Sequence, residues 1–225
     1  MIKACVFDLD GTLLDTLTTI AYYGNLALNK FGIRSIEIDE YKYLAGNGAK
    51  ILIERMLKAT DSYSEEMYEK VYEKVYEYYN EKYNANTKLY TKPFPGICEL
   101  LGELKKRNVL TGVISNKPDF AAVNAIKDSF EDGLIDVAHG QIEGVKIKPE
   151  PDGAIMVLNE LGVKADECLY IGDTWVDMQT GKNLGAYTIG VLWGFRDYDE
   201  LKSNGADMIV EKPDEILEYI IAQNM

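Results

Sequence analysis

The chain of 225 residues has one histidine, His139, and three cysteines, Cys5, Cys98 and Cys168, with no CxxC pair among them. A single imidazole excludes multi-histidine metal centres. It sits at the end of a short strand pattern (IDVAHG) and reads as structural rather than as the base of a Ser or Cys nucleophile system. Three scattered thiols fit a reducing compartment and support neither a disulfide framework nor a zinc site. Long hydrophobic runs are also missing, since no segment approaches the roughly 20 apolar residues that a membrane span requires. The first residues, MIKACVFDLDG, lack the length and cleavage site of a signal peptide and read as a strand. A cytosolic protein with no membrane partner is expected. Positive charge is scarce: 24 Lys and Arg face 37 Asp and Glu, for a net charge of −13. That balance, with no visible basic patch, excludes nucleic acid as the expected partner. An anionic substrate would need a local cationic site made of lysines or a metal ion.

What the chain has is apolar content, 47% of its residues, enough for a sizeable core. Residues 4–7 (ACVF) form a compact apolar run that breaks into Asp8-Leu-Asp-Gly11, as strands buried on both faces do. Asp15 then suits a helix N-cap, with the helix running to about Phe31 and stopping at Gly32. Further helices are predicted at about 39–45, 48–60 and 64–83. The last places Met67, Val71, Val75, Tyr79 and Tyr83 on one stripe, with Tyr68, Tyr72 and Tyr76 beside it. Eight of the sixteen tyrosines fall between residues 63 and 90. Ordinary helix packing accounts for that stripe. Residues 91–96, with two prolines and a glycine, read as a linker.

Beyond it, strands at 109–114, 134–138, 168–171, 187–192 and 207–210 alternate with helices at 97–107, 119–129, 152–161, 176–184, 198–203 and 213–222. Such alternation implies parallel βαβ units. The predicted fold class is therefore α/β: a doubly wound parallel sheet, residues 1–14 and 89–225, with an all-helical cap, residues 15–88, inserted after the first strand.

In such sheets ligands bind beyond the carboxyl ends of the strands. Asp8 and Asp10 follow the first apolar run, Ser115, Asn116 and Lys117 follow LTGVI, and Gly172, Asp173, Thr174 and Asp177 follow CLYI. Three polar clusters thus converge on one edge. Asp8, Asp10 and Asp173 gather the oxygen ligands that suit Mg²⁺. A carboxylate beside such an ion can attack phosphorus, and a second can protonate the leaving oxygen and later deprotonate water. Ser115 and Asn116 can donate to phosphoryl oxygens, while Lys148 offsets the crowded anions. Gly11 lets the backbone turn sharply and present N–H groups, with Thr12, to the phosphate.

Four segments, Asp8-Leu-Asp-Gly-Thr12, Ser115-Asn-Lys117, Lys148-Pro-Glu-Pro151 and Gly172-Asp-Thr-Trp-Val-Asp177, resemble in order the four motifs of the haloacid dehalogenase superfamily of phosphatases. The resemblance covers essentially the whole chain, including the position of the cap. It implies Asp8 as nucleophile, Asp10 as general acid and base, and Ser115 and Lys148 as phosphate holders. It further implies Asp173, Asp8 and the Asp10 carbonyl around Mg²⁺, with Asp177 behind them. Haloacid dehalogenases proper lack the second acid of the first motif, and phosphonate-cleaving relatives replace it with a small residue. Asp10 therefore favours phosphate esters.

Leu44-Ala-Gly-Asn-Gly48, Val191-Leu-Trp-Gly-Phe195 and the segment 205–211 are similar to the phosphoglycolate phosphatase branch. Asn47 and Lys50 are the cap positions that could meet a substrate carboxylate. Arg196 reads as a surface residue. The function implied is hydrolysis of a small phosphorylated metabolite by a monomer or homodimer. The alternatives are a phosphomutase of the β-phosphoglucomutase kind, a pyrophosphatase or a nucleotidase.

Overall fold

A computed structural model describes residues 1–60 and 64–225, and the side chain of Met67 lies outside the described residues, as does Tyr63. The chain divides into two compact units, residues 1–15 with 92–225, and residues 16–91. In chain order the elements begin with β1 (Ala4–Phe7) and the two-residue β2 (Leu14–Asp15). The helices α1 (Leu17–Lys30), α2 (Tyr41–Leu44), α3 (Gly48–Lys58) and α4 (Glu65–Ala85) make up the second unit. The chain returns through β3 (Lys92–Pro93), α5 (Ile97–Lys106), β4 (Leu110–Pro118), α6 (Asp119–Ser129) and β5 (Val137–Gln141). It ends with α7 (Asp152–Leu161), β6 (Cys168–Gly172), α8 (Trp175–Leu184), β7 (Tyr187–Val191), α9 (Tyr198–Ser203), β8 (Met208–Val210) and α10 (Pro213–Asn224).

The large unit is built on one six-stranded sheet of order β5-β4-β1-β6-β7-β8, and every neighbouring pair runs parallel. Strand β1 lies between β4 and β6, so the chain builds one half of the sheet and crosses to the other side of β1 to build the second. Alternation along β1 explains why its run is apolar throughout. Cys5 and Phe7 join one core with residues of α5, α6 and α10, and Ala4 and Val6 join another with Ala154, Val157 and Leu158 of α7. All four are fully buried. A strand buried on both faces is predominantly apolar until it leaves the sheet, and Asp8 is the first residue beyond β1.

Two boundaries depart from expectation. Asp15 does not cap α1: it pairs with Lys92 in the β2–β3 ladder, and Thr16 takes the N-cap position. The proline-bearing linker accordingly contains a short strand, since Pro93 needs no N–H on an edge. In the helical unit, Val75, Tyr79 and Tyr83 of α4 are buried, and the Tyr83 ring meets that of Tyr23 of α1 edge-on at 5.6 Å. Tyr68, Tyr72 and Tyr76 form a ladder with centroids 5.0 and 6.2 Å apart. Among the described residues no helix is long and apolar enough to cross a membrane.

Candidate active site

Parallel strands end on the same side, so the residues at the carboxyl ends of β1, β4 and β6 meet. Asp8 follows β1 directly, and its N–H donates to the Ile171 carbonyl of the neighbouring strand at 2.9 Å. The β4–β5 register shifts between Ile114 and Pro118, and the three residues inside the shift are Ser115, Asn116 and Lys117. Asp173 follows β6, and Lys148 stands in the connection between β5 and α7. All of these lie in the large unit.

Oxygens of Asp8, Asp173 and Asp177 lie within 4.8 Å of one another, and all three acids are buried. One ammonium answers them: Lys148 Nζ sits 2.8 Å from Asp8 Oδ1 and 2.7 Å from Asp177 Oδ1. Burial, followed by the charge of Asp177, pushes the Asp8 carboxyl up to about 7 despite Lys148. Burial, Asp177 and Asp8 push Asp173 up as well. Burial alone would lower the Lys148 ammonium, but Asp177 and Asp8 outweigh it and hold its pKa well above the ordinary value. Three carboxylates around one lysine leave an excess of negative charge in a low-dielectric site. Hard oxygen donors with no sulfur or imidazole among them fit a divalent cation of the magnesium type.

The three acids are not equivalent. Asp177 Oδ1 accepts from Lys148, while its Oδ2 accepts from the Thr174 N–H at 3.1 Å and the Thr174 hydroxyl at 2.8 Å. Those bonds turn Asp177 inward as the orienter of Lys148 and the cap of α8. Asp173 has Oδ1 held by the Thr12 hydroxyl at 3.0 Å and Oδ2 held by the Phe195 N–H at 2.8 Å. Gly11 is required by this approach: a Cβ there would stand 2.2 Å from Asp173 Oδ2, and its φ is +87°. Asp10 faces Lys117, whose Nζ donates to both carboxylate oxygens at 2.6 and 2.8 Å. Ser115 Oγ accepts from the Lys117 N–H at 3.2 Å, which leaves its own hydroxyl hydrogen for another acceptor.

Three residues expected at the phosphate also bond other groups. The Gly11 N–H donates to the Leu14 carbonyl at 2.9 Å, closing the turn after β1. The Thr12 hydroxyl is spent on Asp173. Asn116 is bound at both ends to the Lys148 backbone, donating to its carbonyl at 3.2 Å and accepting from its N–H at 2.9 Å. Thr12 and Asn116 thereby each fix the place of a charged neighbour, Asp173 and Lys148 respectively. Arg196, expected at the surface, is buried, with Nε 3.1 Å from Glu200 Oε1. Lys117 is likewise buried. His139 sits partly exposed in β5, its Nε2 2.8 Å from Glu160 Oε1. Asn47 and Lys50 belong to the helical unit. Asn47 precedes α3 and its buried Oδ1 accepts no hydrogen bond, whereas the Lys50 side chain is exposed.

Acids at the ends of β1 and β6, with a lysine between them, are the arrangement of a hydrolase acting on an anionic group. The chain belongs to the haloacid dehalogenase-like hydrolase family, whose model matches residues 5–191. Its place there is the phosphoglycolate phosphatase-like branch. It is 29% identical over 218 residues to the phosphoglycolate phosphatase of Aquifex aeolicus, covering 97% of this chain and 96% of that one. A solved structure from Lactobacillus delbrueckii subsp. bulgaricus, provisionally assigned as a phosphoglycolate phosphatase, is 32% identical with a TM-score of 0.89, covering 97% of this chain and 98% of that chain. The N-acetylmuramic acid 6-phosphate phosphatase of Pseudomonas aeruginosa is 24% identical, over 97% of this chain and 95% of that protein.

Proposed function

We propose that this protein is a magnesium-dependent phosphatase that hydrolyses a small phosphomonoester of the phosphoglycolate type by transferring its phosphoryl group to Asp8. The observation that carries the reading is the position of Asp8. It is a buried carboxylate at the end of the central strand, 2.8 Å from Lys148 Nζ and inside a cluster with Asp173. Asp8, Asp173 and the Asp10 carbonyl would hold the cation, which when bound would neutralise charge on the phosphoryl oxygens. Lys148 and the Ser115 hydroxyl bind those oxygens and keep phosphorus beside Asp8. The Asp8 carboxylate forms the new bond to phosphorus as the ester oxygen leaves, and Asp10 supplies the proton that oxygen takes up. Asp10 then removes a proton from the water that attacks the aspartyl-phosphate, releasing phosphate and restoring Asp8. Lys117 fixes the position of the Asp10 carboxylate through two hydrogen bonds. The helical unit acts as the cap that selects the ester, with Asn47 and Lys50 as candidate contacts to a substrate carboxylate.

Phosphate release from phosphoglycolate, sugar phosphates, nucleotides and pyrophosphate tests the reading, with Mg²⁺ and with EDTA and with Asp8→Asn alongside. One ester preferred by orders of magnitude, together with an inactive Asp8→Asn and loss of turnover in EDTA, is the expected result. Turnover by Asp8→Asn would remove the nucleophile assignment. Interconversion of hexose phosphates in the presence of a bisphosphate, without phosphate release, would move the protein to the mutases.

A further inference from the structure

The segment Leu192–Arg196, which follows β7, supplies no group to the chemistry above, yet it closes around Asp173. The Trp193 Nε1–H donates to the Thr12 carbonyl at 2.9 Å, and the Phe195 N–H donates to Asp173 Oδ2 at 2.8 Å. Gly194 lies against the same carboxylate: a Cβ added there would stand 2.3 Å from Asp173 Cβ and 2.5 Å from the Gly11 carbonyl oxygen. The Thr12 hydroxyl holds the opposite oxygen, Oδ1, at 3.0 Å. One oxygen of Asp173 is therefore gripped from the turn after β1 and the other from the segment after β7. Trp193 ties those two stretches of backbone together.

The far end of the segment is anchored as well. Arg196 Nε lies 3.1 Å from Glu200 Oε1, with side-chain exposures of 5% and 27%. That carboxylate oxygen also accepts the N–H of Trp175, the first residue of α8, at 3.2 Å. Helix α8 is the one that carries Asp177 and is capped through it. The Arg196–Glu200 pair thus links the segment that grips Asp173 to the start of the helix that orients Lys148.

We propose that Trp193–Arg196, anchored by Glu200, is a clasp that sets the Asp173 carboxylate and thereby the affinity of the acidic cluster for its divalent cation. The proposal rests on the reading of Asp173 as a metal ligand. Its physical basis is that Asp173 stands among like charges, and repulsion from Asp8 and Asp177 would turn a loosely held carboxylate away from them. Two opposed donors and a close glycine leave it one orientation. Trp193, Arg196 and Glu200 are positioning residues acting through Asp173.

The test uses the full chain and Mn²⁺ as the probe, with its dissociation constant measured by electron paramagnetic resonance of the free ion. The variants are Trp193→Phe, which removes the indole donor and keeps an aromatic ring, together with Arg196→Ala and Arg196→Lys. Leu201→Val, a trimmed core residue of α9 outside the clasp, is the control. Trp193→Phe and Arg196→Ala are expected to weaken Mn²⁺ binding by roughly 10–100-fold, the usual cost of losing support behind a metal ligand. Arg196→Lys should recover part of that loss. At saturating Mg²⁺ the KM for the ester should stay at the parent value. Leu201→Val should lower the melting temperature and leave the Mn²⁺ constant alone. Clasp variants that lose stability while binding Mn²⁺ as tightly as the parent would overturn the proposal, as would equal weakening by Leu201→Val. A parent protein that binds no Mn²⁺ would instead overturn the metal reading on which the clasp depends.

Discussion

The crowding of Asp8, Asp173 and Asp177 makes a signed prediction about pH in the metal-free protein. Asp8 is raised from 3.8 to about 7 in the fold by burial and by Asp177. A carboxyl raised on folding holds its proton in the native state at pH values where the unfolded chain has lost it. The native state then binds more protons, and stability falls as pH rises. The contribution is fully present below about 3.8 and is lost progressively as pH climbs through about 7. At about 1.4 kcal/mol per unit, the whole loss is on the order of 4 kcal/mol, with roughly 2–3 kcal/mol of it between pH 5 and pH 8.

Replacing Asp8 by Asn removes the titration while keeping the shape. Urea unfolding in EDTA should therefore show Asp8→Asn gaining on the parent by roughly 2–3 kcal/mol when pH is raised from 5 to 8. Added Mg²⁺ should cancel the gain, because the ion binds the ionised parent and not the amide. Calorimetry of the parent in two buffers should in turn count protons released on Mg²⁺ binding near pH 6 and fewer at pH 8. An unchanged gap between parent and variant from pH 5 to pH 8 would refute the reasoning, since it would mean Asp8 is ionised in the fold throughout.

Other consequences follow from the same contacts. Lys148→Met leaves Asp8 and Asp177 buried without their cation and should cost about 3–5 kcal/mol in metal-free urea unfolding, beyond its effect on turnover. Asn116→Ala should cost about 1–3 kcal/mol and lower kcat/KM, because the N–H and carbonyl of Lys148 lose their partner. The loss should reappear as a shifted Lys148 resonance in NMR rather than as a change in metal affinity. Thr12→Val keeps the volume at Asp173 but removes its hydroxyl donor, and Mn²⁺ titration should show roughly 10-fold weaker binding, the low end for lost support behind a ligand. Lys117→Met releases Asp10, and kcat should fall by at least roughly 10-fold if Asp10 supplies the proton; an unchanged kcat would separate Lys117 from catalysis.

The site's location was legible in the sequence because of the sheet. A parallel strand covered on both faces is mostly apolar until its carboxyl end, so β1, β4 and β6 each announce where their polar clusters begin. Parallel pairing brings those three ends together. What the sequence did not carry was the partner of each donor. Gly11, Thr12 and Asn116 have the groups a phosphate site needs, and the sequence shows no competing partner for them. Their partners are set by which loops arrive from elsewhere: Thr12 meets Asp173, which is 161 positions away, and Asn116 meets the backbone of Lys148, 32 positions on. The burial of Lys117 and Arg196 likewise depends on partners that the fold supplies. Lys117 is buried by a partner 107 positions away, Asp10. Arg196 had a nearer clue in Glu200, four residues on. An i, i+4 pair ordinarily signals an exposed helix face, and here it spans the start of α9 instead. An isolated charged residue in a site of fixed net charge is thus best judged by the acids the fold can bring to it, and only the folded topology supplies that list.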